Sequence, residues 1–165
     1  IPHLRAAFRK DGTVTAANSS SISDGAAALI LARESVATEK GLPIRARILG
    51  HARHAQAPGE FPTAPVPATD KLLKRLGWAI EDVDLWEVNE AFAVVPMAFM
   101  SRLGMPHDRV NVCGGACALG HPIGASGARI IVTLLHALKQ NNLKKGIASL
   151  CIGGGEATAI AFEMM

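Results

Sequence analysis

Three short segments of the chain carry side chains that could do chemistry, and each lies among glycines or small residues. They are Asn89-Glu90-Ala91-Phe92-Ala93, Gly120-His121-Pro122-Ile123-Gly124 and Cys151-Ile152-Gly153-Gly154-Gly155. An imidazole can accept or donate a proton near neutral pH with only a small change in its pKa. A thiol can do the same if nearby dipoles make its thiolate accessible. Loops at strand ends are where α/β folds place such groups.

Each of these candidates also has a plain structural interpretation. His121 alone is typical of a turn residue, Cys151 of a small buried hydrophobe, and Asn89 of a helix N-cap. None of them alone indicates an active site. Their function depends on whether the fold brings them together.

The sequence around these segments predicts alternating strands and helices. Apolar runs predict strands at about 26–32, 45–52, 82–88, 110–112, 146–152 and 157–163. Periodic patterns and stop signals predict helices at about 33–40, 68–76, 89–103 and 128–138. Four prolines predict an extended surface loop at 56–67. The order of elements favours the α/β class, with a mixed sheet and helices on both faces.

Composition excludes several classes of function. The net charge is +3 and the basic residues are scattered singly or in pairs rather than gathered into a stripe, so we expect no nucleic-acid partner. No apolar run approaches the roughly 20 residues of a membrane helix, and we expect no membrane partner. Three cysteines are an odd number and favour a reducing compartment, which predicts a cytoplasmic protein. A nucleotide-binding domain is not indicated, because neither glycine-rich phosphate-binding motif occurs.

Together the three segments resemble the thiolase family, whose C-terminal half carries NEAF, GHPxG and CxGGG segments in this order. Further matches are Gly12 to Ala16, Asp24 to Ala28, Gly114 to Ala116, and Ser126 to Arg129. The resemblance implies the C-terminal half of a thiolase-like fold. Residues 1–41 would be the tail of the N-terminal domain, with a coenzyme A-contacting loop, a strand and a helix. Residues 42–165 would be the C-terminal domain.

The resemblance also implies an acyltransferase of lipid and fatty acid metabolism. Its reaction would be Claisen condensation of two acetyl-CoA to acetoacetyl-CoA, or thiolysis of a 3-ketoacyl-CoA. His121 corresponds to the histidine that helps to deprotonate the nucleophilic cysteine, and Cys151 to the thiol that moves the α-proton. Asn89 corresponds to the holder of an oxyanion-hole water. Gly153 corresponds to a backbone donor of a second oxyanion hole.

The resemblance extends to substrate contacts. Ser20 and Ala16 align with positions that contact coenzyme A, and Phe92 and Phe61 would line the acyl pocket. Acyl-CoA would be the substrate, with no separate cofactor. Cys113, Cys117 and His121 have a C-x3-C-x3-H spacing. A structural zinc site has four ligands and here only three converge, so we expect no metal.

A thiolase also needs a nucleophilic cysteine from its N-terminal half, and no segment here resembles that motif. The chain starts at Ile1 without an initiator methionine. We therefore expect a part of a longer protein that is inactive alone. Its parent would be a homodimer or homotetramer, and the missing N-terminal half would be its partner.

Two alternatives within this fold stay open at this point. A ketoacyl synthase shares the fold but lacks the cysteine that Cys151 represents. A non-catalytic thiolase-like protein, acting as an acyl-CoA-binding or assembly subunit, could keep every motif seen here. Only the residues upstream of this chain could separate it from an enzyme.

Overall fold

A four-stranded mixed sheet organises residues 3–165, which are those described by the computed structural model. The elements in chain order are α1 (Glu34–Glu39), β1 (Ala46–Ala55), α2 (Pro65–Leu76), β2 (Leu85–Val88), α3 (Val94–Leu103), α4 (Ala116–Leu119), α5 (Ser126–Gln140), β3 (Lys145–Ile152) and β4 (Glu156–Met164). The strand order is β1-β4-β3-β2. Strand β4 is antiparallel to both of its neighbours, and β2 is parallel to β3.

Alternating residues of β4 explain how helices cover both faces of the sheet. Ala157, Ala159 and Ala161 are buried in the core cluster that also contains the apolar residues of α2 and α3. Their small side chains let α2 approach the sheet closely. Ile160 and Phe162 point to the opposite face and pack in the cluster of α5. The predicted α/β fold with helices on both faces is therefore confirmed.

Helix α5 rests on its face of the sheet through one apolar stripe. Ile130, Leu134, Ala137 and Leu138 are buried, at the spacing of one face of a helix. Gly146 of β3 lies beneath them, where a Cβ atom would come within 2.8 Å of Leu134 Cδ1.

Helix α5 is the longest of the described helices and has only 15 residues. No helix within 3–165 is long and apolar enough to cross a membrane.

The strand predicted at 26–32 is wrong. This segment pairs with no strand of the described chain, and its apolar side chains face solvent. Ile30 is 98% exposed and Leu31 is 72% exposed. An apolar run shows that a segment favours burial but does not supply the neighbour with which it must pair.

Three other element boundaries differ from the sequence prediction. The helix predicted from Asn89 begins at Val94, because the Asn89 N–H donates to Ser149 O and continues the β2–β3 ladder. The predicted proline loop instead contains a 3-10 turn at Pro58–Thr63 and the first turn of α2, where Pro65 fits because its missing N–H is not needed. Val110 forms only an isolated bridge with Trp86.

Candidate active site

The His121 ring has a polar partner at each of its nitrogens. Nδ1 lies 2.6 Å from Ser126 Oγ, and Nε2 lies 3.3 Å from Asn89 Nδ2. The backbone N–H of His121 donates to Ser21 O at 2.8 Å. The ring is therefore held by two side chains, Asn89 and Ser126, and its backbone is held by the N-terminal loop.

The parallel strands β2 and β3 bring two of the three motifs to one edge of the sheet. Asn89 follows the last residue of β2, and Cys151 is the penultimate residue of β3. Parallel strands end at the same edge, and the Asn89 N–H bond to Ser149 O fixes this alignment. The contact between Asn89 and His121 adds the second motif to this edge.

Glycines in the histidine loop let the N-terminal stretch lie directly against it. Gly120 has φ +91, and a Cβ atom there would overlap Ser23 Oγ. A Cβ atom on Gly25 would come within 2.7 Å of Pro122 Cγ. A larger residue at either position would collide with a side chain of the other segment, Ser23 or Pro122.

A buried ion pair lies behind Asn89. Arg129 Nη1 of α5 donates to Glu87 Oε1 of β2 at 3.1 Å, and Arg129 Nη2 donates to Asn89 Oδ1 at 3.3 Å. Burial raises the pKa of Glu87 to about 7, and the attraction of Arg129 offsets part of this rise. The guanidinium thus links a buried carboxyl to the carboxamide that contacts His121.

Burial also sets the protonation of the two candidate proton-transfer groups. It lowers the pKa of His121, and the nearby Arg129 charge lowers it further. It raises the pKa of Cys151 to about 11. In this chain at neutral pH, the imidazole is therefore a free base and the thiol is protonated.

The CxGGG segment forms the end of β3 and the turn into β4. Cys151 is buried in the core cluster of α2 and α3, and within residues 3–165 its thiol makes no hydrogen bond to His121 or Asn89. A Cβ atom on Gly153 would have no neighbour within 4 Å. Packing within the described chain therefore does not require glycine at this position.

The predicted substrate-binding residues fall into one neighbourhood. The rings of Phe61 and Phe92 are 6.2 Å apart between centroids. Ser20 Oγ donates to Ala91 O at 2.9 Å, next to Phe92. Ala16 begins the 3-10 turn Ala16–Asn18, whose last carbonyl accepts the N–H of Ala93. The N-terminal loop is thus joined to the NEAF segment by backbone and side-chain bonds.

Sequence reasoning assigned no role to Ser126, Arg129 or Glu87. A signal was present, because Glu87 is an acid within the apolar strand Leu85–Val88, and Arg129 lies at the start of an apolar helix. Buried charges of opposite sign tend to pair. Within residues 3–165, no three His, Cys, Asp or Glu side chains are grouped as metal ligands.

Comparison with known proteins gives consistent matches along the chain. Residues 42–164 match the family described as "Thiolase, C-terminal domain", and residues 1–35 match "Thiolase, N-terminal domain". A probable acetyl-CoA acetyltransferase of Dictyostelium discoideum is 54% identical over 165 residues, which are 100% of this chain and 40% of that protein. The acetyl-CoA acetyltransferase of Escherichia coli is 52% identical over 98% of this chain and 41% of its own length.

Solved structures show the same similarity in three dimensions. The crystal structure of the Bacillus anthracis acetyl-CoA acetyltransferase superposes with a TM-score of 0.97 at 48% identity, covering 99% of this chain and 42% of that one. A thiolase from Ascaris suum in complex with coenzyme A superposes with a TM-score of 0.91 at 45% identity, covering 99% and 43%. This chain therefore spans about two fifths of the length of these relatives.

Proposed function

Because the chain belongs to the thiolase family, we propose that it supplies the C-terminal half of an acyltransferase acting on coenzyme A thioesters. The reaction is condensation of two acetyl-CoA to acetoacetyl-CoA, or thiolysis of a 3-ketoacyl-CoA. The observation that carries this proposal is the 3.3 Å contact of Asn89 with His121 at the sheet edge where Cys151 also lies. The nucleophilic cysteine comes from residues outside this chain.

His121 acts first as a base and then as a hydrogen-bond donor. Its lowered pKa leaves it able to take the proton of the nucleophilic cysteine. The imidazolium that forms then donates to the thioester oxygen as negative charge develops there. Asn89 holds a water that points at the same oxygen, since its carboxamide already lies beside the ring.

Cys151 moves the α-proton of the acyl group. With its raised pKa it is the protonated thiol at neutral pH, which is the form that returns a proton to the enolate in thiolysis. In condensation it must first lose that proton. The Gly153 N–H serves as an oxyanion donor, and the open space around its Cα leaves room for the thioester oxygen.

Coenzyme A lies along the N-terminal loop. Ser20 and Ala16 contact its pantetheine and adenine portion, and Phe61 and Phe92 border the acyl group. The close packing of this loop on the NEAF segment supports these roles, because it brings Ser20 beside Phe92. No resident cofactor or metal is needed, since the acyl-CoA carries the reacting group.

We further propose that residues 1–41 complete the N-terminal domain of the parent and that 42–165 form its C-terminal domain. The sheet and its covering helices all lie after residue 41, which supports this division. The parent is a cytoplasmic homodimer or homotetramer in which the N-terminal half covers this one. By itself the chain has no thiolase activity.

The test is the kinetics of acetoacetyl-CoA cleavage by the full-length parent. Changing Cys151 to Ala or His121 to Ala removes a proton-transfer group and should lower kcat by about 10²–10⁴. Cys113→Ala is the matched control, because that cysteine is exposed and lies outside the proposed site. It should leave kcat unchanged.

Wild-type activity in the Cys151→Ala variant would contradict the proposal. Binding of acetoacetyl-CoA without any turnover by the wild-type parent would favour the non-catalytic acyl-CoA-binding subunit instead. Turnover by the purified 165-residue chain would contradict the proposed need for the N-terminal half.

A further inference from the structure

We propose that His121 is locked as the tautomer with its proton on Nδ1, and that Arg129 and Ser126 are the positioning residues that lock it. Arg129 and Ser126 lie at opposite ends of one chain of hydrogen bonds, which runs from Arg129 through Asn89 and His121 to Ser126. Each group donates to the next one in this order. The catalytic value of this tautomer rests on the proposed function, whereas the tautomer itself does not.

The first end of the chain is fixed by the chemistry of arginine. A guanidinium has donors and no acceptor, so the atom of Asn89 that faces Arg129 at 3.3 Å must be the carboxamide oxygen. The NH2 group of Asn89 is then turned toward His121. This group has only donors, so Nε2 of the ring, 3.3 Å away, must be the acceptor. A proton on Nε2 would place two donors face to face.

The second end of the chain is fixed by a buried hydroxyl. If Nε2 accepts, the neutral ring carries its proton on Nδ1, which lies 2.6 Å from Ser126 Oγ. The Ser126 hydroxyl hydrogen is directed to Pro122 O at 3.0 Å, which leaves an oxygen lone pair for the ring N–H. Ser126 is fully buried, so water cannot replace either partner.

The starting point of the chain is itself immobilised. Glu87 Oε1 accepts from Arg129 Nη1 at 3.1 Å, and both side chains are largely removed from solvent. Two fixed bonds to one planar guanidinium define its orientation. Asn89 is also fully buried, and the bond from its backbone N–H to Ser149 O fixes the backbone that carries the carboxamide.

This arrangement decides which ring atom is available to a substrate. The Nε2 lone pair faces the buried Asn89 carboxamide at the sheet edge, and Nδ1 faces the start of α5. In the proposed reaction Nε2 takes the proton of the nucleophilic cysteine, and the Asn89 NH2 group must first give up its contact with this atom. A ring of the other tautomer would present an N–H there and could not act as the base.

The experiment reads the tautomer directly by long-range ¹H–¹⁵N correlation spectroscopy of the full-length parent, labelled with ¹⁵N at its histidines, above the pKa of the ring. The His121 signals are assigned as those lost in a His121→Gln variant. We expect a single Nδ1–H pattern in the wild type. Ser126→Ala should lose this uniform pattern and show a mixture with the Nε2–H form, because the Nδ1 proton no longer has an acceptor while the Asn89 NH2 group still opposes a proton on Nε2.

Ser149→Ala is the matched control. Ser149 is another fully buried serine whose hydroxyl donates to a carbonyl, Thr158 O, but it does not touch the ring. It should keep the wild-type tautomer. An Nε2–H or mixed pattern in the wild type would overturn the proposal, and so would an unchanged Nδ1–H pattern in Ser126→Ala.

Arg129 is tested by the double change Glu87→Met with Arg129→Met, which leaves no unpaired charge in the core. The freed Asn89 carboxamide should then rotate, and the Nδ1–H pattern should give way to a mixture. Retention of the pure Nδ1–H pattern would show that Arg129 does not set it. These results do not depend on turnover, so failure of the proposed function and failure of this proposal are distinguishable.

Discussion

Glu87 is the residue whose protonation is most affected by folding. Its pKa rises from 4.5 to about 7, mainly through burial, with repulsion from Glu90 adding to the rise and the Arg129 charge opposing it. A carboxyl whose pKa is higher in the folded protein binds more protons when folded. Its contribution to the free energy of unfolding is therefore full below pH 4.5 and is lost as the pH rises through about 7.

Glu87→Gln should remove this pH dependence. Relative to the variant, the wild type should lose on the order of 1–3 kcal/mol of unfolding free energy between about pH 4.5 and pH 7. The measurement is urea unfolding at a series of pH values. His121, whose pKa is lowered by burial and by the Arg129 charge, is present in both proteins, so its contribution cancels in the difference. Parallel curves for the two proteins would contradict the prediction.

His121, Cys151, Asn89 and Gly153 were named from the sequence because the three segments that carry them resemble thiolase motifs. Taken alone, His121, Cys151 and Asn89 each had a plain structural interpretation. The structure places Asn89 beside His121. The supporting residues Ser126 and Arg129 were not assigned, because a serine or arginine gains such a role only from what it touches.

The turn between β3 and β4 contains two glycines that should respond differently to substitution. Gly155 has φ +99, and a Cβ atom there would overlap the carbonyl oxygen of Gln56. Gly153 has open space around it. Gly155→Ala should therefore lower the free energy of unfolding by about 1–3 kcal/mol through backbone strain, whereas Gly153→Ala should change it by less than about 1 kcal/mol.

Thermal or urea unfolding of the two variants tests this difference. Equal stabilities would show that the Gly155 turn relaxes without cost. In the full-length parent, Gly153→Ala is the more informative change. A loss of kcat at unchanged stability would show that the reaction, and not the fold, requires glycine at this position. The fold itself gives no packing reason for it.

Helices and strands were predicted correctly where the hydrophobic pattern that indicates them lies within a single element. The helix predicted at 128–138 lies within α5, and the runs at 146–152 and 157–163 lie within β3 and β4. The prediction failed where a neighbour decides the structure. Asn89 continues a strand ladder rather than starting a helix because Ser149 O lies in position to accept its N–H.

For the molecule as a whole, the segment 26–31 is the largest departure from an ordinary folded surface. It has an apolar sequence, no strand partner in the described chain, and two strongly exposed branched side chains, Ile30 and Leu31. Exposed apolar surface of this kind favours association. The purified 165-residue chain should therefore form oligomers whose size increases with concentration.

Sedimentation velocity at several concentrations measures this association. The double change Ile30→Lys with Leu31→Lys should shift the distribution toward monomer, because two charges would have to be desolvated in the contact. Met165→Lys is the control, since that exposed apolar side chain is at the far end of the chain. A wild-type chain that is monomeric at all concentrations would contradict the prediction.

The sequence by itself determined the α/β class and most of the elements after residue 42, because periodicity is a local property. The resemblance of three motifs to those of thiolases predicted four site residues, His121, Cys151, Asn89 and Gly153. Only the tertiary structure decided that Asn89 meets His121, that Arg129 and Ser126 orient both, and that 26–31 has no partner within the described chain. Hydrogen-bond direction and strand pairing depend on which distant groups become neighbours, and no local pattern specifies them.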